Sequence, residues 1–313
     1  MSAVQTSIDG ITAVSMPALI ALRARARTLE HTPMRTRDAR AGQQASAVRG
    51  RGMDYAESRV YQPGDDARNI DWRRTARSGK LHTKLFEEDR ERALVVMLDT
   101  HAGMHFGTRV RYKSVAAARA AAIVVWAAVR AGERVGALAW GPVRAQVPPQ
   151  AGTRGASRVL AALVRWSAPR GTRDQAGDTG GSLSLACRRA GRLVAPGSRV
   201  LLVSDGWCTD AEAARALAGL ARRRDVGILI VADALEHTAP PGGAYAFETG
   251  AGRVALDLHA ASARAAFAAA LDAGVRGLTD AAKRAGVRCE VLDAASPPDA
   301  LLARLWHPTG RQR

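Results

Sequence analysis

The chain of 313 residues is poor in aromatic side chains, which make up 4% of it, and it holds three cysteines. Cys187, Cys208 and Cys289 lie far apart with no Cys-x-x-Cys pair. That excludes a disulfide framework and a cysteine-built zinc cluster, and it suits a reducing compartment. So few aromatics leave no stacking platform for single-stranded nucleic acid. Long apolar runs are missing too. The longest, Ala120–Val129 between Arg119 and Arg130, is about half of what a bilayer-spanning helix needs. Near the N-terminus, Asp9 precedes the apolar stretch Ile11–Leu22 and arginines follow it, the wrong polarity for a secretory signal. The chain has no Gly-x-x-x-x-Gly-Lys-Ser/Thr loop, no Gly-x-Gly-x-x-Gly after its first strand, no Gly-x-Ser-x-Gly elbow and no His-Glu-x-x-His helix. These absences exclude the common nucleotide cradles, the serine-hydrolase elbow and a zinc-protease helix.

Charge of one sign is abundant, with a formal net charge of +17. Nearly all of it is arginine, lysine occurring only at positions 80, 84, 113 and 283, and alanine is plentiful. That combination reads as a GC-rich coding bias. The arginines are scattered along helices and only Arg222–Arg224 forms a run. A specific nucleic-acid site is therefore not expected, whereas weak attraction to polyanions is.

The pattern divides the chain into residues 1–50, an N-terminal helix and polar arm; 51–92, a motif segment; 93–306, an alternating α/β domain; and 307–313, a basic tail. Ser15 caps the first helix with Pro17 in its first turn, and Leu19, Leu22 and Leu29 face the rest of the protein. From Ala93, apolar strands alternate with helices: strands at Ala93–Leu98, Arg134–Trp140, Arg199–Ser204, Val226–Ala232 and Val287–Leu292, and helices at Ser114–Arg130, Ser157–Trp166, Ser182–Leu193 and Ala211–Arg224. Val143–Val147 is expected as the second strand of an edge hairpin, and Ser262–Ala285 as a helix broken near Gly274 or Gly277. Such alternation predicts a doubly wound, mostly parallel α/β sheet with helices on both faces. The motif segment is a smaller, β-containing piece in front of it.

The most distinctive string is Tyr61-Gln-Pro-Gly-Asp65-Asp66-Ala-Arg68-Asn-Ile-Asp71-Trp72. Pro63-Gly64 sets a turn, Asp65 or Asp66 caps a short helical turn, Trp72 anchors that turn on a core, and Leu81–Phe86 follows as a strand. Two readings stand side by side. Asp66 and Asp71 pair with Arg68 and Arg73 in an irregular structural segment, or Tyr61, Asp65, Asp66, Arg68, Asp71 and Trp72 recognise a partner.

Ligands in open parallel sheets sit at the carboxyl ends of strands. Asp99 and Asp205 each follow an apolar strand directly, and Ser182 opens the helix after Gly180-Gly181. Trp207, two residues beyond Asp205, either flanks a binding surface or packs against the Asp99 loop.

Together these residues carry a resemblance. The domain from Ala93 to about Leu305 looks like a von Willebrand factor type A domain. With the Tyr61–Phe86 motif, the chain resembles the bacterial "domain of unknown function fifty-eight" family. The resemblance implies a divalent-ion site made from an Asp-x-Ser-x-Ser loop, a threonine and a second aspartate. Here the loop reads Asp99-Thr100-His101-Ala102-Gly103, so His101 and Gly103 stand where serines are expected, Ser182 takes the threonine's part and Asp205 the third loop's. Asp99, His101, Ser182 and Asp205 are thus the candidate metal residues of a degenerate site. No cofactor is expected beyond magnesium or another divalent cation. The resemblance further implies a cytoplasmic, non-enzymatic interaction module whose partner is an AAA ATPase of the MoxR type, with other von Willebrand factor A-like proteins as further partners. Two alternatives remain: a metal-dependent hydrolase using Asp99, His101 and Asp205, and a basic nucleic-acid-binding protein.

Overall fold

The computed structural model describes residues 9–29, 53–63, 65–88, 92–169, 182–249 and 252–306. The polar arm at 31–50, Gly64 of the expected turn, Gly180-Gly181 and the basic tail lie outside these residues. Two compact units form, one from residues 1–35 with 92–313, the other from residues 36–91.

The larger unit begins with helix α1 (Met16–Ala21), and the smaller holds strand β1 (Met53–Val60), helix α2 (Trp72–Ser78) and strand β2 (His82–Glu88). The larger unit resumes with β3 (Ala93–Asp99), α3 (Lys113–Arg130), β4 (Arg134–Trp140), β5 (Gln146–Gln150) and α4 (Gly152–Ser167). Then come α5 (Leu183–Leu193), β6 (Arg199–Ser204), α6 (Ala211–Ala221), β7 (Asp225–Ala232) and the single turn α7 (Ala234–His237). A hairpin of β8 (Ala244–Thr249) and β9 (Gly252–Asp257) leads to α8 (Ala261–Leu271), α9 (Ala273–Ala285), β10 (Arg288–Asp293) and α10 (Asp299–Trp306).

Six strands of the larger unit lie in the order β10-β7-β6-β3-β4-β5. All neighbours are parallel except β4 and β5. Strand β3 is buried along its whole length, and its side chains alternate between two cores. Leu94, Val96 and Leu98 join α3, α4 and α10 on one face, while Val95 and Met97 join α5, α6 and α9 on the other. This is the doubly wound sheet expected from the alternation. The order reverses between β3 and β6: the chain runs outward to β4 and β5, then returns to build β6, β7 and β10. The carboxyl ends of β3 and β6 are therefore adjacent at the switch point, the place where such sheets form their crevice.

Helix α3 shows how composition serves packing. Its alanines are fully buried or nearly so, and small side chains let the helix lie close to the sheet while another layer covers its back. That layer includes the N-terminal segment. Ser15 caps α1 by accepting from Ala18 N, Leu19, Leu22 and Leu29 are buried, and Trp126 Nε1 donates to the Leu19 carbonyl at 3.1 Å. Burying each such leucine contributes about 1.5–3 kcal/mol.

One expected boundary shifts, one expected break falls where it was placed, and one expected anchor is absent. The edge strand is Gln146–Gln150 instead of Val143–Val147, because Val143 N donates to Thr100 Oγ1 at 3.1 Å and is held at the end of β3. The long C-terminal helix breaks at Asp272, just before Gly274. There, Gly274 packs against the loop after β6: a Cβ on it would lie 2.9 Å from the Asp205 carbonyl and 3.0 Å from Trp207. Trp72 does not anchor its turn on a core. It is the first residue of α2 and 67% exposed, since Asp71 fixes the helix start by bonding Ser58 Oγ at 2.7 Å and Arg74 N at 3.1 Å.

Gly206 occupies the left-handed region at φ 87°, and a Cβ there would lie 2.2 Å from the Gly274 carbonyl oxygen. Backbone strain of this kind costs about 1–3 kcal/mol before any clash is counted. Gly206→Ala is expected to destabilise the larger unit by about 3 kcal/mol or more, read as a lower denaturant midpoint. A change under about 0.5 kcal/mol, the ordinary size for a neutral surface substitution, would contradict this packing.

Candidate functional site at the carboxyl edge of the sheet

Asp99 ends β3 and Asp205 follows β6, and both side chains are buried. Asp99 Oδ1 accepts from the His101 amide at 2.9 Å and stands 2.6 Å from His101 Nδ1. Its Oδ2 accepts from Ser204 Oγ at 2.6 Å. The imidazole meets Trp140 edge to face at 5.0 Å and lies against Gly141, where a Cβ would come within 2.8 Å of Nδ1. Burial works against a charge on this ring, but the bond to Asp99 and the nearby Cys208 side chain outweigh it and raise its pKa to about 10. His101 is therefore an imidazolium at neutral pH.

Beside this pair lies a second one that the sequence reading missed. The Lys113 ammonium, 1% exposed, donates to Asp205 Oδ2 at 3.1 Å and to Glu236 Oε1 at 2.8 Å, with the Phe106 ring centroid 5.8 Å away. Burial opposes its charge, yet Asp205 and Glu236 prevail and hold it above the ordinary lysine range. Burial raises the Asp205 carboxyl, Lys113 pulls it down and Asp99 pushes it up again, with a net upward direction. Lys113 is the first residue of α3, where the helix dipole disfavours a cation. Two carboxylates are what make that place tenable.

The network continues outward. Glu236 Oε2 accepts from Asp233 N at 2.7 Å, closing a capping box on α7. Asp233 in turn receives Thr108 N at 2.9 Å and Thr108 Oγ1 at 2.5 Å, pinning the loop between β3 and α3 to the end of β7. The signal for Lys113 was present in the sequence. It is one of four lysines among many arginines, and a compact ammonium suits a narrow space between two carboxylates better than a planar guanidinium.

The residues as they stand do not fit a divalent ion. Both Asp99 oxygens and both Asp205 oxygens are taken, Asp205 Oδ1 by Trp207 N at 3.2 Å. Gly103, read from the sequence as a missing hydroxyl, is where the Asp205 carboxylate passes: a Cβ there would lie 2.5 Å from Asp205 Oδ2. Ser182 is not brought to this cluster by any of its bonds. Its hydroxyl lies 2.9 Å from Ser184 Oγ and caps α5 through Leu185 N. His105 contacts Ser114 Oγ at 3.4 Å. Among the described residues, no three His, Cys, Asp or Glu side chains converge as a metal would require. Trp207, by contrast, is 49% exposed on this edge.

The smaller unit holds the other candidate residues. Asp65 pairs with Arg59 at 2.7 Å and accepts from Gln62 N at 2.9 Å. Asp66 caps the turn Ala67–Asn69 through Arg68 N at 3.0 Å. Tyr61 N donates to the Leu81 carbonyl at 2.8 Å, closing the hairpin beyond β1 and β2. The acids of the motif thus serve amides, Ser58 and Arg59, while Arg68 and Trp72 are exposed.

A doubly wound sheet whose switch point holds three buried carboxylates, each paired with His101 or Lys113, defines an α/β domain whose polar edge is occupied by its own ion pairs. The family described as "Protein of unknown function DUF58" matches residues 57–275, and the chain belongs to it. "Uncharacterized protein Rv1480" of Mycobacterium tuberculosis is 34% identical over 176 residues, or 55% of this chain and 56% of that protein. The chain spans about half the length of the curated relatives it matches. Among solved structures, BatB from Bacteroides thetaiotaomicron matches with a TM-score of 0.47 and 15% identity, covering 68% of this chain and 96% of that one. A von Willebrand factor type A protein from Catenulispora acidiphila matches with a TM-score of 0.35 and 20% identity, covering 49% and 35%.

Two outcomes follow from the charge balance. Lys113→Met leaves Asp205 and Glu236 facing each other without a counter-cation, so it is expected to destabilise the larger unit by about 3–5 kcal/mol. A denaturant titration of the full chain checks this, and a loss under about 1 kcal/mol, the scale of an exposed ion pair, would overturn it. His101 has a folded-state pKa raised from 6.5 to about 10, so its contribution is fully present below pH 6.5 and disappears as pH rises towards 10. The stability difference between the native chain and His101→Gln should accordingly shrink across that window, as read by thermal melts at stepped pH.

Proposed function

We propose that this chain is a non-enzymatic, cytoplasmic interaction module that docks an AAA ATPase of the MoxR type, within a chaperone-like or complex-maturation system. The observation that carries the reading is the contrast at the carboxyl edge. Its carboxylates are buried and paired with Lys113 and His101, while Trp207 stands 49% exposed beside them. Carboxylates spent on internal partners are poor ligands and poor general bases, whereas tryptophan is one of the residues enriched at interface hot spots. Trp72 offers a second such anchor on the smaller unit, in the Tyr61–Trp72 string that lies within the stretch matched by the family. The identity of the partner rests on the family resemblance. Further von Willebrand factor A-like proteins are candidates for the same assembly.

In this reading the edge works without a bound divalent ion. Lys113 supplies, from within the chain, the positive charge that a metal would bring to Asp205. A hydrolase using Asp99, His101 and Asp205 is less well supported, since each of the three is already committed to a partner. No described helix is long and apolar enough to cross a membrane.

The test is an affinity capture from native lysate with and without ATP, read by mass spectrometry, using the native chain, Trp72→Ala and Trp207→Ala. Enrichment of an AAA ATPase that falls at least about tenfold with either variant, the scale of a hot-spot loss, supports the docking surface. Unchanged capture by both variants would overturn it. The metal-free edge is checked separately: the melting temperature of the purified chain should be the same in saturating magnesium and in chelator.

A further inference from the structure

Helices α5 and α6 pack against each other on one face of the sheet, where Ala186, Ala190, Ala213 and Leu217 fill a shared core. Between them they leave an open groove of about 660 Å³. Its floor is apolar, formed by Cys187, Ala216 and Leu220, and each helix adds a glycine, Gly191 and Gly219. Glycine is a poor helix residue, so its presence at two interior positions calls for a reason. Backbone conformation is not the reason, since neither has a positive φ. Crowding is not the reason either. A Cβ on Gly219 would meet nothing within 4 Å, and one on Gly191 would lie 3.7 Å from Leu220, an ordinary contact. What the two glycines do is keep the groove empty.

The rim is basic. Arg188 of α5 and Glu212 of α6 pair at 2.7 Å, with side chains 62% and 52% exposed. Pairs so exposed are weak, and the guanidinium can turn to another carboxylate at little cost. Arg215, one turn beyond Glu212, is exposed and pairs with no described residue. Arg224, the last of the Arg222–Arg224 run, also lines the groove. Its Nε and Nη2 donate to the Val194 carbonyl at 3.2 and 2.8 Å, and Nη2 donates to the Gly191 carbonyl as well. That fixes the guanidinium against the last turn of α5. Three guanidiniums and one carboxylate around an apolar floor suit an occupant that brings both acids and an apolar side chain. A nucleic-acid backbone would use the charge alone, leave the floor bare and meet Glu212 with like charge.

We propose that the groove between α5 and α6 docks an acidic segment of a partner protein. One apolar side chain of that segment sits over Gly191 and Gly219, and neighbouring carboxylates are taken by Arg188 and Arg215. Arginine suits this role because its planar fork meets a carboxylate with two parallel hydrogen bonds. The groove's volume falls in the range of specific binding sites. This surface lies on the helical face and shares no lining residue with the Trp207 edge. It therefore stands whether or not an ATPase docks at that edge.

The experiment selects random dodecapeptides, displayed on phage, on the purified full chain and depletes them on Gly219→Leu. That variant fills the groove, leaves the net charge unchanged and favours the helix. Should it fail to fold, depletion on Arg215→Glu takes its place. The expected peptides carry several carboxylates around an apolar residue. Made synthetically, they should bind the native chain at least about tenfold more tightly than Gly219→Leu or Arg215→Glu, the scale of a hot-spot loss. Arg154→Glu makes the same charge change on an exposed arginine of α4, across the sheet, and should bind as the native chain does. Recovery of no peptide that distinguishes the native chain from the groove variant overturns the proposal, as does recovery of peptides without acidic enrichment. An equal loss in Arg154→Glu and Arg215→Glu also overturns it, because it marks general attraction to a basic protein. A DNA duplex that binds more tightly than the peptides, and loses affinity in Gly219→Leu, would assign the groove to nucleic acid instead.

Discussion

The rest of this edge depends on one buried ammonium. Lys113 sits where three parts of the chain meet: the end of β6 through Asp205, the turn after β7 through Glu236, and the first turn of α3 through its own backbone. Desolvating a lysine and two carboxylates costs several kcal/mol for each ion, and their mutual attraction compensates only when geometry is good and the remaining oxygens are satisfied. Those oxygens are satisfied here, by Trp207 N on one side and Asp233 N on the other. The network is therefore closed, which is the condition under which buried polar groups specify one arrangement over others.

Several otherwise unrelated features become consequences of that closure. Gly103 must lack a side chain because the Asp205 carboxylate runs through the space a Cβ would take on its way to Lys113. Gly274 and Gly206 must be small because α9 presses on the loop that carries Asp205, Trp207 and Cys208. The break between α8 and α9 falls where that contact begins. Thr108 and Asp233 hold the loop in front of α3 so that Lys113 enters the helix at the right depth. A site that in outline asks for a metal is thus organised around a cation of the chain itself.

His101 plays a parallel part on the β3 side. Its charge balances Asp99, and Ser204 and the His101 amide take what the imidazolium leaves. The three buried carboxylates of the crevice are thus held by two cations of the chain itself, and the Trp207 face is left exposed beside them.

Much of this molecule was legible in its sequence. Runs such as Ala93–Leu98 and Arg199–Ser204 are too apolar for anything but central strands, so the sheet, its helices and the position of both aspartates at strand ends follow from pattern alone. Short-range chemistry was legible as well, as the caps at Ser15 and Asp66 show. What pattern does not carry is which distant side chains share a buried volume. Lys113 reads as an ordinary basic residue opening an alanine-rich helix, and 92 and 123 residues separate it from Asp205 and Glu236. Gly103 reads as a lost ligand when it is a clearance, and Trp72 reads as an anchor when Asp71 and Ser58 leave it exposed. Local propensity and periodicity act over a few residues and are written in the chain. Charge compensation acts between strand ends that only the folded sheet brings together, so the tertiary structure alone decided it.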